Sequence, residues 1–362
     1  MGPWQHLLPH IQNIKTYEGV DPTEALAQRA GIPPEKVIRL NGNENPYGAS
    51  PRVAQALGNY QHFNHYPDPE QRNLRTELAE YLDTDPERIV AGNGSDEIID
   101  LVLRMFVGHG QKVIDPSPTF GMYSFCTNIC GGQVVDVPRD AAFELNVDDI
   151  KLNLDGQTRM IFLASPNNPT GNVAQQWQVR HLLDMGIIVV VDETYHEFCG
   201  HTVLPMVYKY PNLIVLRSFS KWAGLAGLRI GLGVMHPIIA RAMMKIKPPY
   251  NVSLAAEIAL LSSLKDRQGL TDRVTLIVNE RERMLSMLAG LQLVKPLPSQ
   301  ANFILCQLPD GRGRHVYEGL ARRGIFVRHF DHPRLLDYVR ISVGLPHETE
   351  ALTVCMKDVL DE

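Results

Sequence analysis

No apolar run in this sequence approaches the ~20 residues that a membrane-crossing helix requires. Basic residues are not in surplus: 35 Lys and Arg stand against 40 Asp and Glu, a net charge of −5. That balance gives no reason to expect nucleic acid or an anionic membrane as partner. Cysteine is scarce. The five residues are Cys126, Cys130, Cys199, Cys306 and Cys355, an odd number without a C-x-x-C pair. Cys126 and Cys130 could share a helix face, but a zinc site would need further ligands nearby, so no metal site is expected. The opening MGPWQHLLPH has neither a basic nor a long apolar stretch. No secretory leader is therefore expected, and reduced cysteines in a cytoplasmic protein are the better reading. The phosphate-loop string G-x-x-x-x-G-K-[ST] is missing as well. Gly92-Asn-Gly-Ser-Asp-Glu97 approaches the dinucleotide fingerprint G-x-G-x-x-G, but Glu97 stands where its third glycine would fall. There is no internal repeat and no low-complexity segment.

What is present is an ordinary globular balance, 44% hydrophobic and 21% charged, over 362 residues. That length exceeds what one hydrophobic core normally supports, so one large and one small domain are expected. Residues 1–40 read as an arm with a short helix around Pro22–Ala30. Residues 41–250 read as the large domain and 251–362 as the small one. From the turn-rich Asn41–Pro46 to about residue 235, apolar strand patterns alternate with amphipathic helices. The strands are Arg88–Ala91, Lys112–Asp115, Gln133–Val137, Met160–Leu163, Ile187–Val191, Leu213–Arg217 and Ile230–Val234. Runs this apolar suit strands covered on both faces, so the fold class is α/β with a mostly parallel seven-stranded sheet flanked by helices. Glu70–Leu82 carries a Leu74, Leu78, Leu82 stripe. In Ser95–Phe106, Ser95 can cap while Asp96 and Glu97 complement the helix N-terminus. After the prolines of Lys245–Tyr250 come helical patterns at Ser253–Leu264 and Thr271–Leu288. Strand patterns at Ala301–Cys306, Gly324–Val327 and Tyr338–Val343 complete a small α+β domain.

Four segments carry chemistry. The first is Ser218-Phe-Ser-Lys221, followed by Gly224, Gly227, Arg229 and Gly231. A lysine just past a buried strand is costly unless its charge is used or its amine made neutral, and lysine is the side chain that forms Schiff bases. Ser218, Ser220 and Arg229 can wrap a phosphate that the glycines let the backbone approach. A solvated lysine in a Gly-rich turn is the bland alternative. A serine acylase would also need S-D-N and K-T-G, and neither string occurs. The second segment is Asp192-Glu-Thr-Tyr195 after a buried strand, where an open α/β sheet places ligands. Asp192 could equally cap the next helix. The third, Ala164-Ser-Pro-Asn-Asn-Pro-Thr-Gly171, is a tight turn that would present the Asn168 amide, or a plain surface turn. The fourth is the Gly92–Glu97 turn, where Gly94, Ser95 and Asp96 open a helix suited to a phosphate.

Taken in order, these segments resemble the fold-type-I pyridoxal-phosphate aminotransferases, from about Asn41 to Gly344. Pyridoxal phosphate needs a carboxylate at its pyridine nitrogen to keep the ring an electron sink, and the resemblance gives that role to Asp192. It gives Lys221 the Schiff base, and Asn168 and Tyr195 the phenolic oxygen. The phosphate falls to Gly94, Ser95, Asp96, Ser218, Ser220 and Arg229. Phe120, in Pro118-Thr-Phe-Gly-Met-Tyr123, takes the ring-stacking position that is tyrosine in many relatives. Within that superfamily, Leu40–Pro46, Tyr66-Pro-Asp-Pro69, Gly324–Arg328 and Tyr338–Gly344 resemble the histidinol-phosphate aminotransferases. This implies small amino and keto substrates and a homodimer with shared sites, Tyr66 reaching the partner's coenzyme phosphate. It implies Arg340, assisted by Arg328, for the substrate anion, with Tyr17 and Asn43 as further substrate contacts. Arginine can fork either a carboxylate or a phosphate, as the two half-reactions would demand. Without the resemblance, Arg328 and Arg340 read as surface arginines. Other open readings are an aromatic or branched-chain aminotransferase, a phosphothreonine decarboxylase, and a non-catalytic binding protein of the same fold. A nucleotide-binding dehydrogenase is disfavoured by the incomplete glycine fingerprint.

Overall fold

The computed structural model describes residues 2–309 and 311–362. A short strand β1 (Ile38–Arg39) precedes the seven strands of the main sheet. These are β2 (Ile89–Gly92), β3 (Lys112–Asp115), β4 (Gln133–Asp136), β5 (Thr158–Ala164), β6 (Ile188–Asp192), β7 (Leu213–Ser218) and β8 (Gly231–Val234). They pair in the order β2-β8-β7-β6-β5-β3-β4. Only β8 runs antiparallel to its neighbours, so the sheet is mostly parallel, as the sequence predicts.

Each of the seven strands expected for this sheet is present, with ends moved by no more than two residues. Alternation explains why they were legible. On β6, Val189 and Val191 enter one core and Val190 the other; on β7, Leu213 and Val215 oppose Ile214 and Leu216 in the same way. Side chains of a strand point to opposite faces, and here helices cover both, so no polar residue interrupts the run.

The helix Ser95–Phe106 packs Ile98, Ile99, Val102 and Leu103 into one of these cores. Ser95 does not cap it, contrary to the sequence expectation. Gly94 holds the N-cap position at φ +79°, where a β-carbon would lie 2.5 Å from Arg229 Nη2. Glu97 instead accepts from the Asn93 amide at 2.6 Å. Gly231 is needed for a second close approach: a β-carbon there would stand 2.4 Å from the Ser95 nitrogen.

A second, antiparallel sheet is ordered β12-β13-β10-β9, from β9 (Lys295–Pro296), β10 (Phe303–Gln307), β12 (Arg328–His329) and β13 (Tyr338–Ser342). Helices Arg267–Ala289, Arg312–Arg322 and Pro346–Asp361 pack around it. The expected strand Gly324–Val327 is shorter and serves a different partner: β11 (Ile325–Phe326) pairs in parallel with β1 of the arm. The chain then crosses into the second sheet, where β12 sets Arg328 opposite Arg340 of β13. Among the described residues no helix is long and apolar enough to cross a membrane.

The C-terminal ends of β6 and β7 are locked by a buried ion pair. Arg217 donates from Nε to Glu193 Oε2 at 2.9 Å, and both side chains are at least nine-tenths buried. Thr202 Oγ1 and the Val203 amide donate to the remaining sites of Glu193 at 2.7 and 2.6 Å. Glu197 lies 3.6 Å from the same guanidinium, and burial pushes its carboxyl up to about 7. Removing one partner of a buried pair strands the other charge, at a cost of about 3–5 kcal/mol. Glu193→Ala should therefore lower the denaturant midpoint sharply, by an amount equivalent to roughly that cost. A variant as stable as wild type would show that the pair does not hold the strand ends.

Candidate active site

A cavity of about 850 Å³ opens over the C-terminal ends of β3, β5, β6 and β7, lined by Asp115, Ala164, Asp192 and Ser218 from those ends. Ligands collect at this edge of a parallel sheet because loops, rather than strands, close it. Lys221, Tyr195, Asn168, Asn43, Tyr17, Phe120, Ser95, Asp96, Ser220, Arg229, Arg328 and Arg340 line the same space. The sequence-predicted set thus converges, except for Gly94 and Tyr66.

Lys221 Nζ donates to the Gly42 carbonyl at 3.0 Å. Burial, first of all, brings its amine down to about 8; Arg340 and then Arg229 add to this, while Glu44 opposes it. A neutral amine is a nucleophile and a base, and at a pKa of 8 roughly a tenth is neutral at pH 7.

Asp192 ends β6 and is 5% exposed. Its Oδ1 accepts from the Thr194 amide at 3.0 Å and the Thr194 hydroxyl at 2.6 Å. The Thr194 amide contact closes a local turn; Asp192 does not cap the next short helix, His196–Phe198, whose N-cap is Tyr195. Asp192 Oδ2 accepts from the Tyr123 hydroxyl at 2.9 Å. Burial raises its carboxyl above the usual range, and these three bonds pull it back.

Arg340 donates from Nη1 to Asn168 Oδ1 at 2.6 Å and from Nη2 to the Asn41 carbonyl at 2.7 Å. It is buried rather than at the surface. Its Nε has no partner among the described residues, and burial brings the guanidinium down to about 10. With Oδ1 committed to Arg340, the Asn168 amide is the end left to donate. Tyr195 accepts from Asn43 Nδ2 at 2.9 Å, and burial pushes its phenol up to about 12. Asn43 is itself fixed: its amide donates to Ser342 Oγ at 2.8 Å, and Ser342 Oγ donates back to Asn43 Oδ1 at 3.0 Å.

At the other end, Ser95 begins its helix beside Ser218, Ser220 and Arg229. Arg229 is partnered by Asp96 Oδ2 at 2.8 Å, so the Asp96 side chain serves the arginine. Gly94 contributes by leaving room for that guanidinium. Hydroxyls, a cation and a helix N-terminus kept free of a β-carbon form a cradle for a phosphate. A carboxylate, a flat aromatic wall at Phe120 and the Tyr195–Asn168 donors then fit a nitrogen-containing ring. The donor set suits a phosphorylated aromatic coenzyme.

Arg328 reaches the arm, donating to the carbonyls of Glu18 and Gly19 at 3.2 and 3.4 Å. It holds down the segment in which Tyr17 packs on Phe120 and Phe125 at 6.4 and 6.0 Å between centroids. Tyr66 lies outside the cavity of its own chain, 79% exposed and stacked on Tyr250 at 4.3 Å. Sequence reasoning missed Tyr123 as the partner of Asp192; its spacing of three from Phe120 was the available signal. It also missed Thr194 and the Asn41 carbonyl, the second of which no side-chain pattern reports.

Residues 35–354 match the family described as aminotransferase class I and II. The chain is 45% identical to the histidinol-phosphate aminotransferase of Roseiflexus castenholzii, covering 98% of each. Identity to histidinol-phosphate aminotransferase 1, chloroplastic, of Arabidopsis thaliana is 43%, over 96% of this chain and 84% of that one. The histidinol-phosphate aminotransferase of Sinorhizobium meliloti, solved in complex with pyridoxal-5'-phosphate, is similar with a TM-score of 0.89 at 27% identity, covering 98% of both chains. The half-buried Lys221 and buried Asp192 in one cavity agree with the match over most of the length: the chain belongs to the class I and II aminotransferases.

Proposed function

We propose that this chain is a histidinol-phosphate aminotransferase that works with pyridoxal phosphate. It would convert histidinol phosphate and 2-oxoglutarate into imidazole acetol phosphate and glutamate. The observation that carries this reading is the buried Arg340, with an unused Nε donor, in one cavity with Lys221, whose amine burial makes easier to neutralise. A buried guanidinium without a counter-charge attracts an anion entering the cavity, and its fork suits either the phosphate of one substrate or the carboxylate of the other.

Bound pyridoxal phosphate supplies an electron sink for the charge left when a proton leaves the substrate's amino-bearing carbon. Lys221 would hold the coenzyme, and its Nζ, with a lowered pKa, is a competent base for that proton. Asp192 would face the ring nitrogen and favour its protonated form. Asn168 and Tyr195 would donate to the phenolic oxygen, while Ser95, Ser218, Ser220 and Arg229 would hold the phosphate. Likeness to the histidinol-phosphate aminotransferases of Roseiflexus castenholzii and Arabidopsis thaliana supports the choice of amino substrate.

The finer part of this reading is a cytoplasmic homodimer with shared sites. All five cysteines are free, in keeping with a reducing compartment. An exposed stacked pair such as Tyr66 and Tyr250 is what a partner surface covers.

Five outcomes are expected. Offered histidinol phosphate, phenylalanine and phosphothreonine in parallel with 2-oxoglutarate, the enzyme should favour histidinol phosphate by about 100-fold in kcat/KM, because the others leave buried polar groups unmet. Equal use of phenylalanine, or carbon dioxide released from phosphothreonine, would redirect the assignment. Lys221→Ala should lose both the visible absorption of the holoenzyme and turnover. In the wild type, coenzyme capture should quicken as pH rises through about 8, since only the neutral amine attacks and its pKa is lowered; a rate flat from about pH 6 to about pH 9 would contradict this. Light scattering should give twice the 40.6 kDa chain mass, and Tyr66→Phe should weaken coenzyme binding several-fold at unchanged mass. A fully active monomer would remove the shared-site reading.

A further inference from the structure

The two oxygens of Asp192 are held in different ways. Oδ1 is served by Thr194, two residues on, a contact that belongs to the local turn. Oδ2 accepts from Tyr123, which is 69 residues distant and lies on the helix Met122–Ile129. Tyr123 has little freedom to do anything else. It is 1% exposed, its ring lies parallel to Phe162 at 4.8 Å, and Phe120 meets it edge-on at 5.5 Å. Burial and the neighbouring Asp192 keep the proton on its phenol, so it acts as a donor. The nearby acids work the other way: Asp96 disfavours the ionised form of Asp192 and Asp115 lies near Tyr123, where the buried Arg139 is the opposing cation. A carboxylate buried among acids goes neutral unless donors hold it. A neutral Asp192 could not keep a ring nitrogen protonated.

We propose that Tyr123 is a positioning residue whose hydroxyl keeps Asp192 ionised and turned into the cavity. It acts on the reaction through Asp192, without touching substrate. This rests on the coenzyme reading above, but its first test does not. Tyr123→Phe removes one oxygen and keeps the ring stacked on Phe162. In coenzyme-free protein, the carbon-13 carboxyl signal of Asp192, assigned by its loss in Asp192→Asn, should titrate about one pH unit higher in Tyr123→Phe, a tenfold change in the equilibrium. In the holoenzyme, kcat should fall about tenfold with KM for histidinol phosphate within about twofold, as expected when a transition-state interaction alone is lost. Added to Asp192→Asn, Tyr123→Phe should cost less than about twofold more, because the two act as one unit. An Asp192 titration unchanged by Tyr123→Phe would overturn the proposal. So would a full tenfold loss in the Asp192→Asn background, which would assign Tyr123 to packing. A wild type without visible absorption on adding pyridoxal phosphate would instead strike the coenzyme reading, and the titration would still decide for or against Tyr123.

Discussion

The cavity depends on one short stretch of backbone at residues 40–43. Its four carbonyls accept in turn from the Ser342 amide at 2.8 Å, Arg340 Nη2 at 2.7 Å, Lys221 Nζ at 3.0 Å and Asn302 Nδ2 at 2.9 Å. Three of these donors belong to β13 or the turn before β10, and one follows β7. The stretch thus ties the two sheets together across the active site, and it continues β1, which is itself paired with β11. Asn43 adopts φ +51° within it, a strained setting that its bonds to Ser342 and Tyr195 support.

The choice of acceptor has an electrostatic consequence. Lys221 and Arg340 are satisfied by a peptide carbonyl and an amide side chain, which carry no net charge. Hydrogen bonding is met except at Arg340 Nε, but the positive charge is not. Burial therefore dominates, and the lysine falls to about 8 and the arginine to about 10. An anion entering the cavity supplies what the chain withholds. Arg217, by contrast, is fully paired with Glu193 and serves the scaffold. Asp192 and Glu193 are neighbours in sequence with opposite duties: one is neutralised by a guanidinium, the other held by three neutral donors and left to face the cavity.

Much of the fold was legible because burial on both faces leaves strands without polar interruptions. The seven strands of the main sheet and the helix Ser95–Phe106 follow directly from that. The convergence of Lys221, Asp192, Asn168 and Tyr195 was legible because each stands at a strand end or shortly past one, and parallel strand ends share one edge. Less visible were contacts made by two-residue strands or by backbone. The patterns at Gly324–Val327 did not reveal that β11 pairs with the arm and β12 with β13. The pull of Arg328 on the carbonyls of Glu18 and Gly19 has no side-chain signature on the arm. Ser95 looked like a cap because its type favours that position, yet Gly94, with its left-handed backbone and room for Arg229, took the place.

The order of residue types along the chain was enough to determine a parallel α/β sheet, the strand-end lysine and aspartate, and the glycines at which backbone must approach backbone. These are local consequences of periodicity, of turn chemistry and of the cost of burying charge. Only the tertiary structure decided the partners: that Arg340 is buried with a spare donor, that Tyr123 serves Asp192, and that the Gly42 carbonyl receives the lysine. Such pairings join residues far apart in the chain through packing geometry, which one-dimensional spacing does not encode.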